Sequence, residues 1–573
     1  MNKNISRRRF LSFFATPDEI IDNKIEEPAL SPIPEAEAIM YTIPTSNRVD
    51  TLINTGWKFN QSDVSDAQIA TFDDSAWPTV TLPHTWNNID GEYETTYYRG
   101  VSWYRLHYSV PTMYEGQRLY LQFDGASLVA DVYVNGTYLG EHQGGYATFR
   151  FDATSALIVG DTNVIAVRVN NAYATDIAPL NGDFTVFGGL YRAVHLLAVD
   201  EVHIDLMDYG ASGLFLRQAQ VSTTSADLHI TVEARNESTG SQSVILNTFI
   251  VDARNVIVQT LSSTQVVAAH GRHTFTQTMI IGQPHLWDGQ RDPYLYRVYA
   301  QVQVGSSFKD VVSAPLGFRS YAIDPTNGFF LNGRYLDLHG VNVHQDRLDQ
   351  GWAINEADLD QDFNLITAMG ANAIRTSHYQ HAQRLYDSAD AQGIIIWSEQ
   401  PLLNGIRTTH RFAQNAEQQL TEMIRQNYNH PSIIFWGIAN EVGNDDATNA
   451  LLQTLNDAAH TLDPDRITTL ASDHDPADAI STHTDTVGYN RYYGWYKDSF
   501  DDLDIFLTTT HERFPTKSFA FSEYGAGASI HQHEENPTRP LTTSKIHPEE
   551  WQALVHEAAW QTLQERPYVW GKF

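Results

Sequence analysis

The sequence predicts a multidomain β plus α/β protein: a jelly-roll β-sandwich, an immunoglobulin-like β-sandwich and a (β/α)8 TIM barrel, in that order. Three observations carry this. The chain has 573 residues, more than one hydrophobic core accommodates, so about three domains are expected. From Arg48 to Gly317 it is written in short alternating strands separated by turn residues, with no helix-length period. After Gly317, short apolar strands alternate with helical stretches, the rhythm of βα units around a parallel sheet.

Residues 1–45 read as leader or linker. "SRRRFLSFFATPDEII" resembles a twin-arginine export signal at its Arg-Arg-Arg-Phe-Leu core, so a periplasmic or secreted location is the expectation. Its apolar stretch stops at Ala15, shorter than such a signal needs, and cytoplasmic residence is the alternative. Residues 46–200 contain "RLYLQFDGA", "ADVYVNGTYLG" and "NVIAVRVNN"; the Asn-Gly pair of the second predicts a tight hairpin, and the whole reads as a jelly-roll. Residues 201–318 repeat the all-β texture with "ADLHITVEARN", "QSVILNTFIVDA", "RHTFTQTMII" and "YLYRVYAQVQV". About seven short strands in this span suggest an immunoglobulin-like sandwich.

Residues 319–573 hold the barrel. Its strands are "YLDLHGVN", "AIRTSH", "IIIWSEQ", "IIFWGIANE", "TTLASDH", "TVGYNRYY", "SFAFSEYG" and "YVWGKF", interleaved with helices such as "AEQQLTEMIRQNYN". The eighth strand runs into the last residues given, so the expectation is a barrel truncated in strand 8, with its last βα unit incomplete.

Composition narrows the function. Hydrophobic residues at 42% and charged residues at 18% are those of a folded soluble protein. A formal charge of −32, from 69 acids against 37 bases, repels nucleic acid and anionic membranes, and no apolar run reaches the length of a span. Neither kind of partner is expected; a homo-oligomer is left open. The absence of cysteine excludes disulfides, thiolate metal sites and a cysteine nucleophile. Aromatic residues at 12% suit sandwich cores first and sugar-gripping platforms second.

Barrel chemistry sits at the C-terminal ends of the strands. Here those ends carry Asn342, His344, Arg375, His378, Glu399, Asn440, Glu441, Asp473, Asn490, Tyr492 and Glu523. Glu441 and Glu523 each follow a strongly apolar strand. A lone acid there could simply complement a helix dipole. Two of them on opposed strands match glycosidic cleavage, which needs one protonated carboxyl to assist the leaving oxygen and one ionised carboxylate at the anomeric carbon.

"NYNHPSIIFWGIANE" and "FAFSEYGAG" resemble the acid/base and nucleophile signatures of glycoside hydrolase family 2, which includes β-galactosidases, β-glucuronidases and β-mannosidases. "FDDSAWPTVTLPHTWN", "GDFTVFGGLYR", "GVNVHQD", "GANAIRTSHYQH" and "GYNRYYGWY" fit the same family in order, over residues 50–573. The resemblance implies the three-domain order above and a retaining exo-glycosidase acting on a carbohydrate. It makes Glu441 the general acid/base and Glu523 the nucleophile. Asn440 would contact the sugar 2-hydroxyl, Tyr492 would donate to the nucleophile, and Arg375 would lie beneath it. His344 and His378 match contacts to sugar hydroxyls, and Asp183, in "NGDFTVFGG", matches an acid reaching in from the jelly-roll. The structural alternatives are a buried bracing pair for Arg375 and His378, and a turn residue for Asp183.

No cofactor is expected. Some β-galactosidases of the family hold magnesium partly through a Glu and a His two residues apart, whereas Glu399 is followed by Pro401. Glu399 and His344 are instead expected to hydrogen-bond each other or the substrate. The loops "GVNVHQDRLDQGWAINEAD" and "AIRTSHYQHAQRLYDSADAQGIIIWSEQPLLN" most resemble bacterial β-galactosidases, making terminal β-D-galactosides the expected substrates. A β-glucuronidase, another β-glycosidase of the family, and an inactive carbohydrate-binding remnant are the alternatives.

Overall fold

Alternation of buried and partly exposed side chains marks the clearest strands of both sandwiches. The computed structural model describes residues 39–93, 96–496 and 498–573, so the twin-arginine-like stretch lies outside the described residues. Along Val129–Val134 every second side chain is buried, and Asn135 and Gly136, at φ 51° and 84°, turn the chain into Thr137–Gln143. Those left-handed values are what a type I′ hairpin requires. The hairpin sits at the edge of a six-stranded antiparallel sheet, which faces a four-stranded one made of Val49–Leu52, Val194–Val199, Arg118–Phe123 and Phe149–Asp152. Trp57, Tyr104, Phe123, Val132 and Val167 fill the space between them.

The second sandwich has eight described strands in two antiparallel sheets of four. Ser225–Asn236 is its spine, alternately buried along its whole length. The end of the expected leader is held on this domain. Tyr41 is buried with its ring 5.0 Å from that of Phe249 and 4.4 Å from that of Tyr299, and the Ile257 N–H donates to the Ile39 carbonyl.

The barrel strands are β1 (Leu338–Asn342), β2 (Ala373–Thr376), β3 (Ile395–Glu399), β4 (Ile433–Asn440), β5 (Ile467–Ser472), β6 (Val487–Asn490), β7 (Phe519–Glu523) and β8 (Val569–Lys572). They form one closed parallel barrel. Parallel strands are covered on both faces, and every residue of β4 is buried accordingly. The strand expected to be cut short is long enough to close the ring: β8 pairs with β7 at Val569 and Lys572, and with β1 at Gly571 and Lys572. The helices outside are α1 (Glu356–Ala368), α2 (Gln383–Gln392), α3 (His410–Asn427), α4 (Asp446–Leu462), α5 (Asp501–Arg513) and α6 (Glu549–Leu563); a single turn of 3₁₀-helix, Ala479–Thr482, stands between β5 and β6. No described helix is long and apolar enough to cross a membrane.

Trp397, Phe435, Trp570 and Phe573 fill the barrel interior, with Phe435 and Trp570 stacked at 4.4 Å. The indole of Trp397 lies against β4 because residue 437 is glycine: a Cβ there would stand 2.3 Å from Trp397 Nε1. The jelly-roll is docked on the barrel. Tyr146 stacks on Tyr379 at 4.5 Å, Arg192 donates to Gln345 Oε1 (2.7 Å) and the Gln380 carbonyl (3.1 Å), and His142 Nε2 lies 2.9 Å from Glu422 Oε1. This docking brings the jelly-roll segment around residues 181–187 over the barrel mouth.

Candidate active site

The apolar run of β4 ends at two polar residues whose backbone is re-aimed. The β4–β5 register shifts between Gly437 and Asn440, and Glu441 takes φ 49°, a left-handed value unusual outside glycine. Its N–H is held by the Ala471 carbonyl at 2.9 Å, while the Asn440 N–H donates to Leu402 and its carbonyl accepts from Asn404. Strained backbone at a strand end, fixed from both sides, is characteristic of positions where side-chain direction matters.

Arg375, from β2, is completely buried at the centre of the mouth. Its Nε and Nη2 form a fork on Glu399, at 2.9 Å each; Nη1 donates to Glu523 Oε1 at 2.6 Å and to Asn342 Oδ1 at 3.2 Å; Nη2 also donates to Asn440 Oδ1 at 2.9 Å. Beneath it lies the Trp397 ring, 5.1 Å from the guanidinium carbon. Tyr492 donates to Glu523 Oε2 at 2.5 Å, and Asn490 Nδ2 donates to Glu441 Oε1 at 2.9 Å. His378 Nδ1 is 2.8 Å from Glu399 Oε1, an acceptor that keeps the ring proton on Nδ1, and its Nε2 is 3.9 Å from Glu523 Oε1.

The two glutamates are driven in opposite directions. Burial pushes Glu441 above the usual carboxylate range; the Asn490 hydrogen bond opposes this, and the nearby charges of Glu523 and Asp473 add to it. Burial also acts to raise Glu523, but the charges of Arg375 and His378 and the hydroxyl of Tyr492 outweigh it and hold that carboxyl below its ordinary value. The same contact pushes the Tyr492 phenol far up, burial first and the Glu523 charge second, so it stays a donor. The site therefore holds one carboxyl suited to giving a proton beside one kept ionised.

The structure gathers all eight of the expected site residues at the mouth. Arg375, His378, Asn440, Glu441, Tyr492 and Glu523 are linked through the contacts above. His344 stands beside them, its ring 5.7 Å from that of His378. Asp183 is exposed on the jelly-roll segment, close enough for its charge to act on His344, and its neighbour Phe184 packs 5.2 Å from His344 and 6.3 Å from His378. Arg375 and His378 are also a buried pair, 3.3 Å apart, but one tied directly to Glu523.

One expectation is corrected. Glu399 does not bond to His344: its oxygens are taken by Arg375 and His378, and His344 Nδ1 instead meets the Tyr379 hydroxyl at 2.9 Å. His344 lies beyond the end of β1, where the chain has turned toward the jelly-roll, while Glu399 ends β3 at the barrel axis. Two residues outside the eight, Glu399 and Asn490, complete the network. Both were visible as polar strand ends, but only the fold shows what they hold.

A cluster with metal-ligand chemistry among the described residues, Asp387, Asp390 and His430, has donor atoms within 4.8 Å of one another. It lies at the opposite end of the barrel, after α2 begins and before β4. His430 Nδ1 bonds Asp390 Oδ2 at 2.6 Å, His430 Nε2 meets Gln383 Oε1 at 3.1 Å, and Ser432 donates to Asp390 Oδ1 through both N–H and hydroxyl. These contacts make it a brace between α2 and β4.

A closed (β/α)8 barrel with one carboxyl held below its ordinary range and another pushed above it, at the ends of β7 and β4, fits the machinery of a glycosidase. The chain belongs to glycosyl hydrolases family 2: its sugar binding domain matches residues 60–200, the family's central domain matches 212–319, and its TIM barrel domain matches 324–539. The chain is 38% identical to a β-glucuronidase of Bacteroides fragilis, over 92% of this chain and 76% of the relative. It is 31% identical to a β-galactosidase of Thermoanaerobacter pseudethanolicus, over 72% of this chain and 54% of the relative. The structure of Bacteroides uniformis β-glucuronidase 2, covalently bound to cyclophellitol-6-carboxylate aziridine, superposes with a TM-score of 0.88 at 35% identity, covering 92% of this chain and 64% of that one. The chain thus spans about three quarters of the first relative and less than two thirds of the other two.

Proposed function

We propose that this chain is a retaining exo-β-glycosidase working by double displacement. The observation that carries the reading is the pairing in one barrel mouth of Glu523, gripped by Arg375 Nη1 at 2.6 Å and the Tyr492 hydroxyl at 2.5 Å, with Glu441, whose Oε1 accepts from Asn490 at 2.9 Å. Glu523, held ionised by Arg375 and Tyr492, attacks the anomeric carbon. Glu441 delivers its proton to the glycosidic oxygen as that bond breaks. The leaving alcohol departs and a glycosyl ester on Glu523 remains. Glu441, now ionised, takes a proton from a water that attacks the same carbon, and Glu523 is released as carboxylate. In this reading Asn440 contacts the sugar 2-hydroxyl and Arg375 supports the nucleophile, and the jelly-roll segment bearing Asp183 and Phe184, beside His344, would restrict the site to a terminal sugar.

For the sugar, β-D-glucuronides are the leading reading. It is supported by the 38% identity to a β-glucuronidase and by the relative bound to a cyclitol carrying a 6-carboxylate. Terminal β-D-galactosides are the second reading, favoured by the barrel loops and by the Thermoanaerobacter relative. A panel of chromogenic aryl β-glycosides separates them: the expected result is turnover of the glucuronide above the galactoside, and turnover confined to the galactoside reverses the order. Replacing Glu523 by Gln should cut kcat/KM by about 10⁴-fold or more on whichever substrate turns over. Retained turnover in that variant refutes the mechanism.

A further inference from the structure

Asn490, the last residue of β6, is 3% exposed and lies directly behind both Asn440 and Glu441. Its Nδ2 donates to Asn440 Oδ1 at 3.1 Å and to Glu441 Oε1 at 2.9 Å, and its Oδ1 accepts from Ser522 Oγ at 2.7 Å. A side-chain amide has two N–H donors, and both are used. Turning this amide over would set its oxygen against two acceptor oxygens, so its orientation is fixed.

The consequence passes to Asn440. Its Oδ1 accepts from Arg375 Nη2 at 2.9 Å and from Asn490, which occupies both lone pairs. Arg375 can only donate, so Asn440 cannot turn over either, and its NH2 must face the pocket. Glu441 is fixed in the same way: Oε1 accepts from Asn490, leaving Oε2 as the oxygen for a transferable proton.

We infer that Asn490 is a positioning residue acting on both neighbours at once. It presents Asn440 to the sugar 2-hydroxyl as a hydrogen-bond donor and assigns the catalytic proton of Glu441 to Oε2, with Ser522 locking it from behind. The inference rests on the glycosidase reading of Glu441 and Asn440 given above. An interaction with the 2-hydroxyl strengthens as the oxocarbenium-like transition state forms, so the direction in which Asn440 points bears on rate as well as binding.

The test compares an aryl glycoside with its 2-deoxy counterpart, in wild type, Asn490→Ala and Ser522→Ala. Wild type should lose on the order of 10²-fold in kcat/KM or more on the 2-deoxy substrate. In Asn490→Ala that penalty should shrink severalfold, because Asn440 Oδ1 keeps only the Arg375 donor and loses one of the two contacts that fix its orientation. The alkaline limb of the kcat/KM profile should also move to higher pH, because an N–H that favoured the ionised form of Glu441 is gone. The other groups that face Glu441, namely Glu523 from β7, Asp473 beyond β5, Tyr492 beyond β6 and His378 beyond β2, are unchanged by the substitution. Ser522→Ala, a near-isosteric change, should move both readouts the same way by less, and it carries the test alone if Asn490→Ala does not fold. A uniform fall in rate, with an unchanged 2-deoxy penalty and a fixed alkaline limb, would overturn the inference and leave Asn490 a packing residue. Should wild type turn over no glycoside, the mechanism fails separately. Calorimetric binding of a sugar lactam and its 2-deoxy form would then read the same ratio without turnover.

Discussion

Arg375 has five N–H donors and distributes them over Glu399, Glu523, Asn342 and Asn440, so none is left without an acceptor. Its fork on Glu399 sets the plane of the guanidinium, and the remaining edge then meets Glu523. A lysine supplies the charge without the fork. Arg375→Lys is therefore expected to lower kcat/KM by about 10²-fold, in the range found when a positioned donor at a developing charge is lost. The sign of the pH effect follows from the contact. Arg375 holds Glu523 below its ordinary value, so a weaker contact raises that carboxyl and moves the acid limb to higher pH, while the alkaline limb set by Glu441 stays in place. Arg375→Ala goes further, because it leaves the buried Glu399 with His378 alone in place of the guanidinium fork, and should cost about 3–5 kcal/mol of stability. At this scale the sequence was legible where chemistry needs an isolated residue type at a strand end: Glu441 after an all-buried strand, Glu523 after "FAFS". It was not legible where the role is a choice among neighbours. Glu399 had plausible partners on several strands, and nothing in its local sequence could favour Arg375 over His344.

Among elements, β3 and β4 meet through one close approach. Trp397 is the floor under Arg375, and it fits because β4 carries glycine at 437, where a Cβ would crowd Trp397 Nε1 at 2.3 Å and Glu399 Cγ at 3.0 Å. Gly437→Ala should therefore cost about 1–3 kcal/mol in a denaturation measurement, as overpacking does. It should also lower kcat, because the atoms displaced are those that carry Arg375; wild-type stability and activity in this variant would show that the indole has room to move. The strands themselves were readable wherever burial imposes a pattern. Continuous apolar runs gave the barrel strands and strict alternation gave Ser225–Asn236. The second sandwich has eight described strands against an expectation of about seven, and one of them, Ile257–Val267, is largely exposed, with little alternation for a core to impose.

Across the whole molecule, the site is shared between domains. The catalytic groups belong to the barrel, but Asp183 and Phe184 come from the jelly-roll, and their place depends on docking through Tyr146, Arg192 and His142. Arg192 holds Gln345, which follows His344, and the carbonyl of Gln380, two residues after His378. Arg192→Ala should leave each domain folded and lower kcat/KM by about 10-fold to 10²-fold, as a misplacement of order 1 Å does, with most of the loss in KM. An unchanged KM would mean that docking does not position the pocket wall. The order of domains was legible from texture alone, but an interface of scattered aromatic and polar residues leaves no periodic signal, so the sharing of the site emerges only in three dimensions. The central claim is covalent catalysis by Glu523, and trapping tests it most directly. A slowly hydrolysed 2-deoxy-2-fluoro glycoside of the sugar that turns over should add one glycosyl mass to the intact chain. Peptide mapping should place that mass on Glu523, and the Glu523→Gln variant should take up none. An adduct on Glu399 or Glu441, or turnover of the substrate with no adduct at all, would contradict the account.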